Sequence, residues 1–122
     1  ITDAYAVMKV LSQRYSERFF KLLVNGVTTP REASEVYKKL SLTADRFLQI
    51  SIDYLGHILL DANLVAAVRQ QKALVEIYPS SPASQCFKSL AQKIKEARPS
   101  ARPKGGLQFF WRQLLERTWP FP

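Results

Sequence analysis

Few residues in this chain have the type and spacing to do chemistry. Its one cysteine, Cys86, and one histidine, His57, provide neither an intramolecular disulfide nor the ligand set of a zinc site. The four glycines, Gly26, Gly56, Gly105 and Gly106, build no phosphate-cradling loop followed by a lysine. What remains is Asn25, whose amide can both donate and accept, and the short run Leu59-Leu60-Asp61. On its own, Asn25-Gly26 reads as a turn dipeptide and Asp61 as a helix cap. His57 sits in an alternating segment and is assigned no catalytic role, and Cys86 beside Phe87 reads as a small buried hydrophobe.

The elements around these residues are legible from periodicity. Thr2 is expected to cap a helix that packs through Ala4, Val7, Met8 and Leu11. Phe19 to Val24 is a short apolar run, read as a strand buried on both faces and ending at Asn25-Gly26. Thr29, Pro30 and Glu32 form a capping box with a proline start. The helix they open is expected to bury Val36, Leu40, Phe47 and Leu48. Residues 50–58 alternate as a second strand, followed by a loop over Leu59 and Leu60. Asp61 caps the next helix, with Leu64, Val65 and Val68 on one face. Ser81 and Pro82 start another, with Phe87, Leu90, Ala91 and Ile94 on its inner side.

Domain organisation follows. With 47% hydrophobic and 23% charged residues, the 122-residue chain can build one compact core, assigned to residues 1–96. Residues 97–106 are rich in proline, glycine and cations and read as a flexible linker. Residues 107–119 form an amphipathic helix with Phe110, Trp111, Leu114, Leu115 and Trp119 on its apolar side. No run approaches the roughly 18 to 20 apolar residues of a membrane span, and no signal sequence is visible, so a soluble, non-secreted protein is expected. Eighteen Lys and Arg against ten Asp and Glu give a net charge of +8, which suits nucleic acid, an anionic membrane or an acidic protein equally. Two strands joined through a helix make one βαβ crossover, too little for a free-standing parallel sheet. The chain also opens on a helix at Ile1, so further strands are expected from outside it.

Several segments, taken in order, resemble a known family. Residues 1–9 are similar to the helix that follows the Thr-Pro-Glu-Pro-type strand end in MinD/ParA-type P-loop ATPases, and Leu22-Leu23-Val24-Asn25 to the next strand, carrying their adenine-recognising asparagine. Ala44-Asp45-Arg46-Phe47-Leu48, Tyr54-Leu55-Gly56-His57-Ile58, Val65 to Gln71, Tyr78 to Ser84 and Gly105 to Trp111 resemble the last third of the flagellar number regulators within that family. The family's Ile-Pro-x-Asp after the second strand is Ile58-Leu59-Leu60-Asp61 here, with leucine at the proline position.

The resemblance implies an α/β fold: the C-terminal part of a doubly wound, mostly parallel P-loop sheet, with about two strands and four to five helices in this piece. It implies adenine contacts from Asn25, Leu59, Leu60 and Asp61, and ATP with Mg in the intact parent. The Walker A loop and magnesium-binding aspartates have no counterpart here, so no cofactor and no hydrolysis are expected of this chain alone. Implied partners are a second copy in an ATP-dependent homodimer, a signal-recognition-type flagellar GTPase, flagellar basal-body proteins or a transcription regulator. Direct nucleic-acid binding is not expected. The implied location is cytoplasmic, and peripheral at the inner face of the cell membrane if the terminal helix meets lipid. The rival reading is a stand-alone basic interaction module without nucleotide binding. The terminal helix has three candidate covers: its own domain, a protein partner, or an anionic membrane approached by Lys104, Arg112 and Arg117. Co-sedimentation with anionic liposomes, with and without residues 105–122, decides the last: loss of pelleting on truncation is expected for a lipid ligand, and equal pelleting excludes it.

Overall fold

The computed structural model describes residues 1–97. Apart from Ala97, the expected linker and the helix bearing Phe110, Trp111, Leu114, Leu115 and Trp119 lie outside these residues. The described elements run α1 (Thr2–Tyr15), β1 (Phe19–Val27), α2 (Pro30–Leu48), β2 (Ser51–Leu59), α3 (Ala62–Arg69), α4 (Leu74–Ile77) and α5 (Pro82–Glu96). β1 and β2 pair in parallel with α2 as their crossover. This is the α/β arrangement of two strands and five helices that fits a C-terminal part of a P-loop-type sheet.

α2 begins as its sequence dictates. The Thr29 side chain accepts from the Glu32 N–H at 3.2 Å, Pro30 fills the first position, and the Glu32 carboxylate accepts from the Thr28 N–H at 2.8 Å and hydroxyl at 2.7 Å. The Thr28 hydroxyl and then its N–H hold the Glu32 carboxyl below its ordinary value. Ala33, Leu40, Ala44 and Leu48 form the buried stripe. The two alanines, fully enclosed, let the helix approach closely, and Leu40, Ala44 and Leu48 join Met8, Ile50 and Ile52 in one cluster. Phe47 was expected in this core but is 64% exposed: the close contacts are taken by Ala33, Leu40, Ala44 and Leu48, and Phe47, turned about 100° from Leu48, falls at the margin of that stripe under the Arg46 guanidinium, 5.3 Å from its ring centre.

Other stripes rotate similarly. α1 starts at Ile1 as cap position without a side-chain bond, because Thr2 already lies in the first turn. Its inner face is Tyr5, Met8 and Ser12, leaving Val7 outside. In α3 the buried residue is Ala67, with Leu64 packed beside it, while Val65 and Val68 are exposed. α5 buries Ala83 and Ser84 and packs Cys86 and Leu90, so Phe87 and Ile94 lie outward.

β1 departs from expectation in two ways. It runs through Asn25-Gly26 to Val27, because Gly26 at φ +70° is an extra residue in the ladder: Asn25 pairs with Ile58 and Val27 with Leu59. The bulge changes the spacing of inward residues from two to three, so that Val24 and Val27 both pack with Ala33. Nor is β1 buried on both faces, since Phe19 is 74% exposed and Leu23 is also open; among the described residues no helix covers that side of β1. β2 carries a second bulge at Leu55, and Gly56 beside it adopts φ +152°.

Leu40→Ala removes a side chain 2% exposed, and is expected to lower stability by about 2–5 kcal/mol in a urea titration. Gly26→Ala meets no atom within 4 Å but must hold a positive φ, and is expected to lose about 1 kcal/mol by the same measurement.

Candidate functional site

The four residues singled out from the sequence converge on one end of the sheet. Asn25 lies next to the last paired position of β1, opposite Ile58, and Leu59 ends β2 opposite Val27. The Leu60 N–H then donates to the Val27 carbonyl at 2.8 Å, which carries the pairing one residue past the strand. Because the strands are parallel, both carboxyl ends, and so Asn25 and Leu59-Leu60, share this edge. That is where open α/β sheets place ligands.

Each residue arrives there differently. Asn25 is exposed, and its side-chain amide has no hydrogen bond among the described residues. Leu59 packs against the Val24, Val27 and Ala33 cluster, whereas Ile58 beside it packs with Ala67, Leu74 and Ala83. Leu60 is 68% exposed despite its pinned backbone. Asp61 caps α3 as expected, Oδ1 accepting from the Asn63 N–H at 2.9 Å, but its Oδ2 also accepts from the Ala83 N–H at 3.0 Å, in the first turn of α5. Both oxygens are thus occupied by helix starts rather than turned toward Asn25. The Ala83 N–H, then that of Asn63, holds the Asp61 carboxyl below its ordinary value.

The link from Asp61 to Ala83 spans 22 residues and has no signature in sequence, although Ser81 and Pro82 mark where α5 starts. Ser81 accepts from the Ser84 N–H, and the Ser84 hydroxyl donates to the Tyr78 carbonyl at 2.7 Å, so the start of α5 is locked from two sides. Two other long-range bonds also escape sequence reading. Lys93 Nζ donates to the Leu55 carbonyl at 3.2 Å, occupying a backbone group beside the β2 bulge. Tyr37 donates to the Ile52 carbonyl at 3.0 Å and stacks at 5.3 Å, tilted, on Tyr54. His57 Nδ1 lies 3.0 Å from the Tyr54 hydroxyl, and burial, followed by the nearby Cys86, pushes that phenol up.

Among the described residues, grooves include the following, one of which Leu59 lines. One of about 580 Å³ runs between α2 and the starts of the strands, past Arg18, Tyr37 and Asp45. A second, of about 290 Å³, lies between β2 and α5, and a third, of about 580 Å³ and apolar, is lined by Leu64, Leu74, Val75, Phe87 and Ala91. Asn25 lines none of them. Among the described residues no group of three or more His, Cys, Asp or Glu is placed to hold a metal ion, and no helix is long and apolar enough to cross a membrane.

A native carboxyl depressed below its unfolded value stabilises the fold above that value, and the contribution is lost as pH falls through the native one. Asp61 therefore adds stability that is complete above 3.8 and disappears below it. In thermal melts across acid pH, Asp61→Asn is expected to flatten that limb of the curve and to lower the midpoint at neutral pH.

No protein-family model matches the chain. It is 38% identical over 116 residues to the antiactivator FleN of Pseudomonas aeruginosa, a match covering 95% of this chain and 41% of the relative. It is 32% identical over 120 residues to the flagellum site-determining protein YlxH of Helicobacter pylori, covering 95% of this chain and 40% of that relative. The chain thus spans about two fifths of the length of these relatives. With its ordered motifs, parallel βαβ core and near-complete coverage by two flagellar regulators, the chain belongs to the FleN/FlhG-like family of the MinD/ParA type, as its C-terminal portion.

Proposed function

We propose that this chain is the adenine-recognising part of a FleN-like ATPase that regulates flagellar number and placement. The observation that carries the reading is the meeting of Asn25 with Leu59-Leu60 at the carboxyl end of two parallel strands. An exposed amide free of hydrogen bonds among the described residues can donate to and accept from a purine edge, and an exposed leucine at the same end of the sheet offers an apolar surface to the ring. Asp61 contributes through the backbone it holds, since its oxygens are already engaged.

Phosphate binding, magnesium and hydrolysis belong in this reading to the rest of the parent protein, because this sequence offers no glycine-rich lysine loop. The parent binds ATP with Mg, dimerises with it, and acts on a signal-recognition-type flagellar GTPase, basal-body proteins or a transcription regulator. Residues 107–119 form its switchable contact with a partner or with the inner face of the cell membrane. The names of the two relatives, an antiactivator and a site-determining protein, support a regulatory role of this kind.

In the full-length protein, Asn25→Ala is expected to weaken ATP binding by roughly tenfold, the loss of a hydrogen-bonding pair at a desolvated base. Titration calorimetry reads it directly. Unchanged affinity overturns the assignment and favours the rival interaction module. An upstream reading frame encoding a glycine-rich, two-lysine loop distinguishes the two readings at the level of the gene.

A further inference from the structure

A helix cap needs one oxygen, and Asp61 uses two. Oδ1 meets the Asn63 N–H of its own helix, while Oδ2 reaches the Ala83 N–H at the start of α5. One residue earlier, the Leu60 N–H is fixed to the Val27 carbonyl of β1, two residues beyond Asn25. The segment Leu59-Leu60 is therefore held at both ends: on one side by the strand that carries Asn25, on the other by a carboxylate bridging two helix starts. Core packing explains Leu59, which lies in the cluster of Val24, Val27 and Ala33. It does not explain Leu60, which is 68% exposed yet has a fixed backbone at both neighbours.

We infer that Asp61 is a positioning residue for purine recognition, its second carboxylate oxygen anchoring the Leu59-Leu60 segment to α5 so that Leu60 faces the base held by Asn25. The inference rests on the adenine reading above. Asp61 does not touch the ligand in this account; it sets where Leu60 stands relative to Asn25. Holding an apolar wall in place before the ligand arrives removes the ordering entropy that binding would otherwise have to overcome. The effect falls on the base, because this sequence offers no glycine-rich lysine loop for the phosphates.

The test uses the full-length protein and two probes, Mg-ATP and Mg-tripolyphosphate, which lacks a base. Asp61→Ser keeps a side-chain oxygen to cap α3 but has none left for Ala83. It is expected to weaken ATP by roughly five- to tenfold while tripolyphosphate binding stays within twofold, a ratio that a general loss of stability does not move. Asp61→Asn, with one carbonyl oxygen for two N–H groups, is expected to shift the same ratio less, and serves if the serine variant does not fold. An unchanged ratio in the folded Asp61 variants, with Asn25→Ala lowering it, overturns the positioning role alone. If Asn25→Ala also leaves the ratio unchanged, the adenine reading falls, and this inference with it.

Discussion

The described part of the molecule depends on the fit of α2 across two parallel strands. Parallel pairing cannot be closed by a tight turn, so a crossover helix is obligatory and must lie on the face of the sheet it spans. Ala33 and Ala44 give α2 a flat contact line, and Leu40 and Leu48 fill the space with Met8, Ile50 and Ile52. Tyr37 adds a hydrogen bond from the helix to the Ile52 carbonyl. Once α2 is seated, β1 and β2 must run in the same direction, and their carboxyl ends come together. The proximity of Asn25 to Leu59 and Leu60 is a consequence of that crossover.

Two glycines then adjust the sheet locally. Gly26, in a left-handed conformation, absorbs an extra residue in β1 and lets Val24 and Val27 both face Ala33 across an interval of three. Asn25 is left exposed between them. At β2 the bulge at Leu55 precedes Gly56, and the freed carbonyl of Leu55 is taken by Lys93 from α5. The same helix receives Asp61 at its other end. α5 therefore holds β2 and the segment after it at two points, near Lys93 and near Ala83, and its Cys86 and Leu90 pack into the cluster around Ile58 between them.

The described residues also leave apolar surface open. Phe19 and Leu23 on β1 and Val7 and Val10 on α1 are exposed, and a sheet of two strands has an outer edge on each. A strand run as apolar as Phe19 to Val24 suits a position covered on both sides, and this is why burial on both faces was the natural expectation. The chain spans about two fifths of its relatives' length.

Sequence alone determined what is local or periodic. The capping box at Thr29, the caps at Ser81 and Asp61, the two strands with their crossover helix, and the family were all readable, because each rests on residue types within a turn or on an ordered set of short motifs. Periodicity did not determine which side of each helix faces inward. Val7, Phe47, Val65, Val68, Phe87 and Ile94 were expected inside and lie outside, since alanine and serine at Ala33, Ala44, Ala67, Ala83, Ser84 and Ser12 occupy the closest contacts. Hydropathy favours the large side chain, whereas close approach of helix to sheet favours the small one. Only the tertiary structure decided that β1 continues through Asn25-Gly26, and that Asp61 is shared between its own helix and Ala83, 22 residues on, at the start of α5. Both outcomes depend on where a distant backbone group comes to rest, and no local preference in the chain encodes that position.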